Sequence, residues 1–125
     1  MLGGREAARA VERFRDLSPD FERYVMEFLS GEIWRRRGLD LRTRSLCTVA
    51  ALAALGRSRG LGLNIRMALR NGASESEIRE VLIQVAAYAG FPAAWEGLAV
   101  AREVFDGAQR KGRPPRRRRA RGSSH

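Results

Sequence analysis

Histidine is almost missing from this chain, and the one it has, His125, is the last residue. No imidazole is available to the interior of a fold, which sets aside histidine-based proton transfer, catalytic triads and histidine-ligated metals. Cysteine is as scarce. Cys47 stands alone, so an intramolecular disulfide, a CxxC redox pair and a cysteine-rich zinc site are excluded. Long apolar runs are lacking too: the longest uncharged stretch, residues 45–56, is too short to cross a bilayer. The charged opening, residues 1–14, has no signal-peptide core. These absences point to a soluble cytoplasmic protein without a membrane partner. Sustained strand-like alternation is also absent, which leaves an all-α fold.

What is present suits one helical domain. The chain has 125 residues, 44% of them hydrophobic, enough to enclose a core. Its net charge of +10 is unevenly placed. Residues 108–125 contain Arg110, Lys111, Arg113, Arg116, Arg117, Arg118, Arg119 and Arg121 and no acid, so residues 1–107 are close to neutral. With Pro114-Pro115 and no large apolar side chain, 108–125 is expected to be a disordered Arg-rich tail behind a domain spanning 1–107. Such a tail supports only a salt-dependent, sequence-blind affinity for nucleic-acid phosphates. Since it lacks interleaved aromatics, a solvated extension is the preferred reading.

Five or six helices are predicted. Residues 6–15 form a short leading helix. Ser18-Pro19 starts the next, with Ser as N-cap and Pro at the first helical position. Phe21, Tyr24, Val25, Phe28 and Leu29 give it an apolar stripe, and Gly31 loosens its end. A helix from Asp40 to Leu55 carries no charge beyond Arg44 and is expected to be the buried central helix. Another spans 58–71 and stops at Gly72. Ser74 and Glu77 form a capping box for the helix that presents Ile78, Val81, Leu82, Val85 and Ala89 and closes at Gly90. Pro92 opens the last, which ends at Asp106-Gly107.

Polar groups on faces that ought to be apolar are the candidates for chemistry. Glu32 lies one step beyond the stripe Phe21, Val25, Phe28, where the edge of a core would raise a carboxyl toward the range useful for proton transfer. The alternative is a surface carboxylate paired with Arg35, Arg36 or Arg37. Asn64 falls on an inward face beside Ile65, either toward a ligand or satisfied by backbone. Arg42 and Arg44 open the uncharged helix, where they could hold an anion or form surface ion pairs. Cys47 is read as a small core residue, because nothing activates it as a nucleophile. Trp34, Tyr88, Phe91 and Trp95 either line a pocket or interface or simply pack.

Taken together, these residues resemble a known pattern. The string GEIWRRRGLDLRTRSLCTVAALAALGR (31–57) is similar to the opening motif of the carboxymuconolactone decarboxylase family, with its Gly-Glu-x-Trp and Arg-x-Arg-Ser-Leu elements. LNIRMALRNGASESEIREVLIQVAAYAGFPAA (63–94) resembles its second half. Glu32, Trp34, Arg42, Arg44, Asn71, Gly72, Tyr88, Gly90 and Pro92 match. Asn64 stands where the family shows histidine. The resemblance implies a compact all-α domain assembling into homo-oligomers, from dimers to hexameric rings, and decarboxylases that need no cofactor and no metal. The related alkylhydroperoxidase D branch uses a CxxC motif that one cysteine cannot supply.

The implied function is a cofactor-free decarboxylase, or a related proton-transfer lyase or isomerase, acting on a small anionic cyclic compound in a degradative or natural-product pathway. Glu32 and Asn64 would be catalytic: Asn64 as an oxyanion donor, Glu32 as the proton carrier. Arg42, Arg44, Trp34, Cys47 and Tyr88 would bind the substrate. The alternative is a non-catalytic member that keeps the scaffold for ligand binding or assembly.

Overall fold

The computed structural model describes residues 4–112, which form helices joined by short connections, with no strand among them. The elements are α1 (Gly4–Leu17), α2 (Pro19–Tyr24), a π-helix (Val25–Ile33), α3 (Leu41–Leu55), α4 (Ser58–Arg70), α5 (Glu75–Ala89) and α6 (Phe91–Gly112). None of them is long and apolar enough to cross a membrane.

Local chemistry sets most of the boundaries. Ser18 caps α2 by accepting the Phe21 N–H, with Pro19 in the first turn. Asp40 precedes α3 instead of opening it, and its carboxylate accepts the Thr43 N–H at 2.7 Å. Ser74 and Glu77 form the expected capping box of α5. Gly72 and Gly90 stop α4 and α5 at φ 98° and 99°, a region L side chains avoid.

Two sequence expectations differ at helix ends. Gly31 does not loosen its helix. α2 runs on into a π-helix through Ile33, closed by the Trp34 N–H bonding the Leu29 carbonyl five residues back. A Cβ at Gly31 would lie 3.1 Å from the Met26 carbonyl oxygen, so glycine suits this wider turn. At the other end, α6 continues past Asp106-Gly107 to Gly112. Apart from that extension, the expected tail lies outside the described residues.

The helices form two sets. α3, α4, α5 and α6 pack together around Val49, Ala53, Leu61, Ile65, Ala68, Ile78, Leu82, Val85, Ala101, Val104 and Phe105. At Gly97 of α6 a Cβ would sit 2.8 Å from Leu82 Cδ2, so glycine lets the helix pack close there. α1, α2 and the π-helix form an arm of their own. Phe14 meets Phe21 edge to face at 5.4 Å, and Arg15 holds Glu22 at 2.8 Å, keeping the Glu22 carboxyl below its usual range. No helix pair between arm and bundle packs along its length. The arm therefore leaves Phe21, Tyr24, Phe28 and Leu29 exposed.

Helix α3 also departs from expectation. It is central, but only Ser45, Val49 and Ala53 are buried, while Cys47, Ala51, Ala54 and Leu55 face outward. An uncharged helix need not be covered on every side within a single chain.

Candidate functional site

The outward side of α3 forms one wall of a groove of about 690 Å³, and α5 forms the other. Thr43, Cys47, Ala51 and Ala54 recur at helical spacing along the first wall, and Glu80, Gln84 and Tyr88 along the second. Leu46, Ala50, Val81 and Val85 supply an apolar floor. Volume and character fall within the range of small-molecule sites, although the groove is open to solvent.

Two cross-braces hold its walls. Arg42, in the first turn of α3, forms an ion pair with Glu77, in the first turn of α5. Glu77 also accepts the Ser74 N–H, so one carboxylate caps α5 and ties it to α3. Beside this pair, the Asn71 amide donates to the fully buried Ser45 hydroxyl at 2.9 Å. The α3 N-terminus is thereby fixed against the turn from α4 to α5, and the two walls start side by side.

The candidate residues do not all meet there. Cys47 and Tyr88 line the groove. Cys47 is exposed, contrary to the expectation of a core residue, because it lies on the uncovered side of α3. Arg42 stands at the groove's end, engaged with Glu77. Arg44 donates from Nη2 to the Arg36 carbonyl at 3.1 Å, while its buried Nε has no partner among the described residues. Trp34 is buried in the connection after the π-helix and lines no groove wall. Glu32 is exposed near the end of the arm, not at the edge of a core. Asn64 is half-buried on α4, and its amide is already used, donating to the Gly60 carbonyl at 2.8 Å. Glu32 and Asn64 thus share neither this groove nor the one of about 650 Å³ between α5 and α6, where Ile83, Phe91 and Trp95 gather.

Thr43, Glu80 and Gln84 were not singled out from the sequence. The signal was present: Glu80, Gln84 and Tyr88 fall at i, i+4 and i+8, one step aside from the core stripe Ile78, Leu82, Val85. Among the described residues no group of three or more His, Cys, Asp and Glu is placed to hold a metal ion.

Known proteins share this arrangement of sequence. The chain is 38% identical over 105 residues to a 4-carboxymuconolactone decarboxylase of Acinetobacter baylyi, covering 84% of this chain and 78% of that protein. It is 30% identical over 112 residues to a nitrosuccinic acid decarboxylase of Metarhizium robertsii, covering 90% and 78%. An uncharacterised 15.0 kDa protein of Paracoccus denitrificans is 33% identical over 116 residues, covering 84% and 87%. The carboxymuconolactone decarboxylase family itself matches residues 19–103, from the start of α2 to within α6. The stretch includes both braces and both groove walls, so the chain belongs to the carboxymuconolactone decarboxylase family.

Proposed function

We propose that this protein is a decarboxylase of a small, activated carboxylic acid, bound in the α3–α5 groove without a cofactor. The observation that carries this reading is the likeness, across both groove walls, to two proteins named as decarboxylases. The two named substrates share a chemistry: a carboxylate on a molecule that carries its own electron-withdrawing group, a nitro group in one and a lactone in the other. Breaking the C–COO⁻ bond releases CO₂ and leaves the electron pair delocalised onto oxygen as a nitronate or enolate. The substrate is its own electron sink, so the protein need only desolvate the carboxylate, steady the developing oxyanion and return one proton to carbon.

The groove's apolar floor suits the first task, because the charged carboxylate becomes neutral CO₂ there. The Tyr88 hydroxyl on its wall can donate to the developing oxyanion. Arg42 at the groove's end and the Arg44 guanidinium beside it add positive charge near the α3 N-terminus, which favours an anionic substrate. Glu80, on the groove wall, is the carboxylate placed to return the proton and regain it from water, whereas Glu32 and Asn64, the sequence candidates for that task, lie outside the groove. Lactone and non-lactone acids both fit this outline, and the anionic cyclic acid suggested by the sequence is one case of it.

The test is CO₂ release by the purified chain from 4-carboxymuconolactone, nitrosuccinate and simple β-keto acids. Turnover of at least one is expected, with Tyr88→Phe lowering it by about tenfold or more, the scale of one lost oxyanion donor. Unchanged turnover after Glu80→Gln would remove Glu80 from the mechanism. Binding of these acids without any CO₂ release would support the second reading, a non-catalytic ligand-binding member. The use of the Asn64 amide by the Gly60 carbonyl favours that second reading.

A further inference from the structure

Two stretches of this chain hold arginine without any acid, and the fold brings them together on one side of the bundle. Residues 57–73, which make α4 and the turns on either side of it, carry Arg57, Arg59, Arg66 and Arg70, all exposed. Residues 107–125 carry seven arginines and Lys111. Together these twelve positive charges exceed the net charge of +10, so the rest of the chain is slightly acidic. Between the two stretches, residues 74–106 hold six acids against Arg79 and Arg102. The basicity is therefore concentrated, in two places that are far apart in sequence.

Packing joins them. α4 lies against α6, where a Cβ at Gly62 would stand 3.5 Å from Val100 Cγ1 and 4.0 Å from Val104 Cγ2. Ile65, Ala68 and Ala73 share one core cluster with Val104 and Phe105, so α6 leaves the bundle beside the end of α4. The exposed Arg110 lies about a turn and a half beyond Phe105 on the same helix. Along α4 itself, Arg59, Arg66 and Arg70 recur at i, i+7 and i+11, one face of a helix roughly 17 Å long. The basic segment after Asp106 thus has a folded counterpart beside its root, which the sequence does not display.

We infer that the arginine face of α4 and residues 107–125 act together as a binding surface for the phosphate backbone of nucleic acid. A duplex presents one negative charge per roughly 1.7 Å of its axis, so the α4 face alone spans about ten of them. The side chains present favour this partner over other anionic ones. Eleven of the twelve cations are arginine, whose planar fork pairs bidentately with phosphate oxygens. No large apolar side chain is exposed in residues 57–73, and none occurs in 107–125, so nothing there enters a bilayer interface. With no aromatic side chain exposed in either stretch to stack on bases, the contact is to the backbone and blind to sequence. The surface lies apart from the α3–α5 groove, whose lining includes no residue of either stretch.

The experiment uses the full-length chain and the fluorescence anisotropy of a labelled duplex DNA of about 20 base pairs, over a range of salt concentrations. Native affinity is expected to fall about a thousandfold between roughly 50 and 200 mM salt, the response to about six neutralised phosphates. Arg59→Gln/Arg70→Gln is expected to reduce the slope of log affinity against log salt by about two, and to weaken binding about tenfold at the lower salt. Replacing Arg116, Arg117, Arg118 and Arg119 by serine should reduce that slope by about three to four. Circular dichroism checks each variant. Should Arg59→Gln/Arg70→Gln lose its helical signal, Arg57→Gln/Arg59→Gln replaces it with the same expectation. A native chain that leaves the duplex unbound at the lower salt overturns the proposal. So does an α4 variant with the native slope, which would leave residues 107–125 acting alone. Displacement of the duplex by polyglutamate at matched charge points to an acidic protein instead, and tighter binding to phosphatidylserine vesicles points to a lipid surface; either result overturns it. No turnover is measured, so the outcome is independent of the decarboxylase reading.

Discussion

Removing one side chain from the Ser45–Asn71 brace should be costly, and removing the other should not. Ser45 is fully buried, and the Asn71 amide donates to its hydroxyl at 2.9 Å. Asn71 is half-buried, with φ −85° and ψ 9° at the end of α4, so alanine fits its backbone without strain. Asn71→Ala therefore leaves an enclosed oxygen without its donor, at a cost of about 1–2 kcal/mol. Ser45→Ala removes the enclosed group itself. The amide left behind can turn to water, and alanine is the better helix former, so the change should stay within about 0.5 kcal/mol of zero. In the double variant there is no orphan, and its stability should match Ser45→Ala, giving a coupling of about 1–2 kcal/mol. Urea unfolding followed by circular dichroism reads this directly, at one protein concentration for all variants. In melting temperature the gap is roughly 4–8 °C. If Ser45→Ala costs as much as Asn71→Ala, or if the two effects simply add, the hydrogen bond is not what the brace contributes.

Two buried helix glycines should respond to substitution with opposite signs. A Cβ at Gly97 would lie 2.8 Å from Leu82 Cδ2, and Leu82 is fully enclosed, so Gly97→Val should destabilise by about 2 kcal/mol in urea unfolding. At Gly62 the nearest atom, Val100 Cγ1, is 3.5 Å away in ordinary contact, so Gly62→Ala should stabilise by about 0.5–1 kcal/mol. The Asp40 carboxyl is held below its usual range, chiefly by the Thr43 backbone N–H. A depressed folded-state pKa gives stability that is present above the unfolded value and lost as pH falls through the folded one. Asp40→Asn keeps a capping acceptor but cannot titrate, so its melting temperature should fall less than the native protein's between pH 7 and pH 3. Glu77→Ala removes one of the two capping-box bonds and the Arg42 ion pair together, and should cost more than Ser74→Ala in the same unfolding assay.

Most of the fold was legible because its boundaries are set by nearest-neighbour chemistry. Ser18-Pro19, the Ser74/Glu77 box, Gly72 and Gly90 act within a turn of themselves, and a sequence displays that directly. The π-helix was not legible, because the widened turn depends on how Gly31 sits against the Met26 carbonyl and no period in the side chains announces it. The extension of α6 was missed because Asp106-Gly107 looks like a stop, yet no opposing element forces the chain to turn there. At the site, periodicity placed Cys47 and Tyr88 on helices but could not say that they face one groove. The lack of charge along α3 suggests burial on all sides, whereas a single chain covers only one.

The motif residues divide by task along α3. Arg42 and Ser45, which carry much of the family likeness, face Glu77 and Asn71 and hold three helices in register. Thr43, Cys47, Ala51 and Ala54, on the other side of the same helix, make the groove. The first set belongs to the scaffold, whereas the second set is what a molecule bound in the groove would meet. The replacement of histidine by Asn64 belongs to neither side. It lies on α4, and its amide is spent on the Gly60 carbonyl of its own helix. An imidazole at that position could exchange a proton, which the Asn64 amide cannot. The departure at residue 64 thus exchanges a group able to carry a proton for one that secures its own helix. On the proposed reading, a carboxylate would have to carry the proton instead. Glu80 lines the groove, whereas Glu32 lies exposed on the arm, outside it.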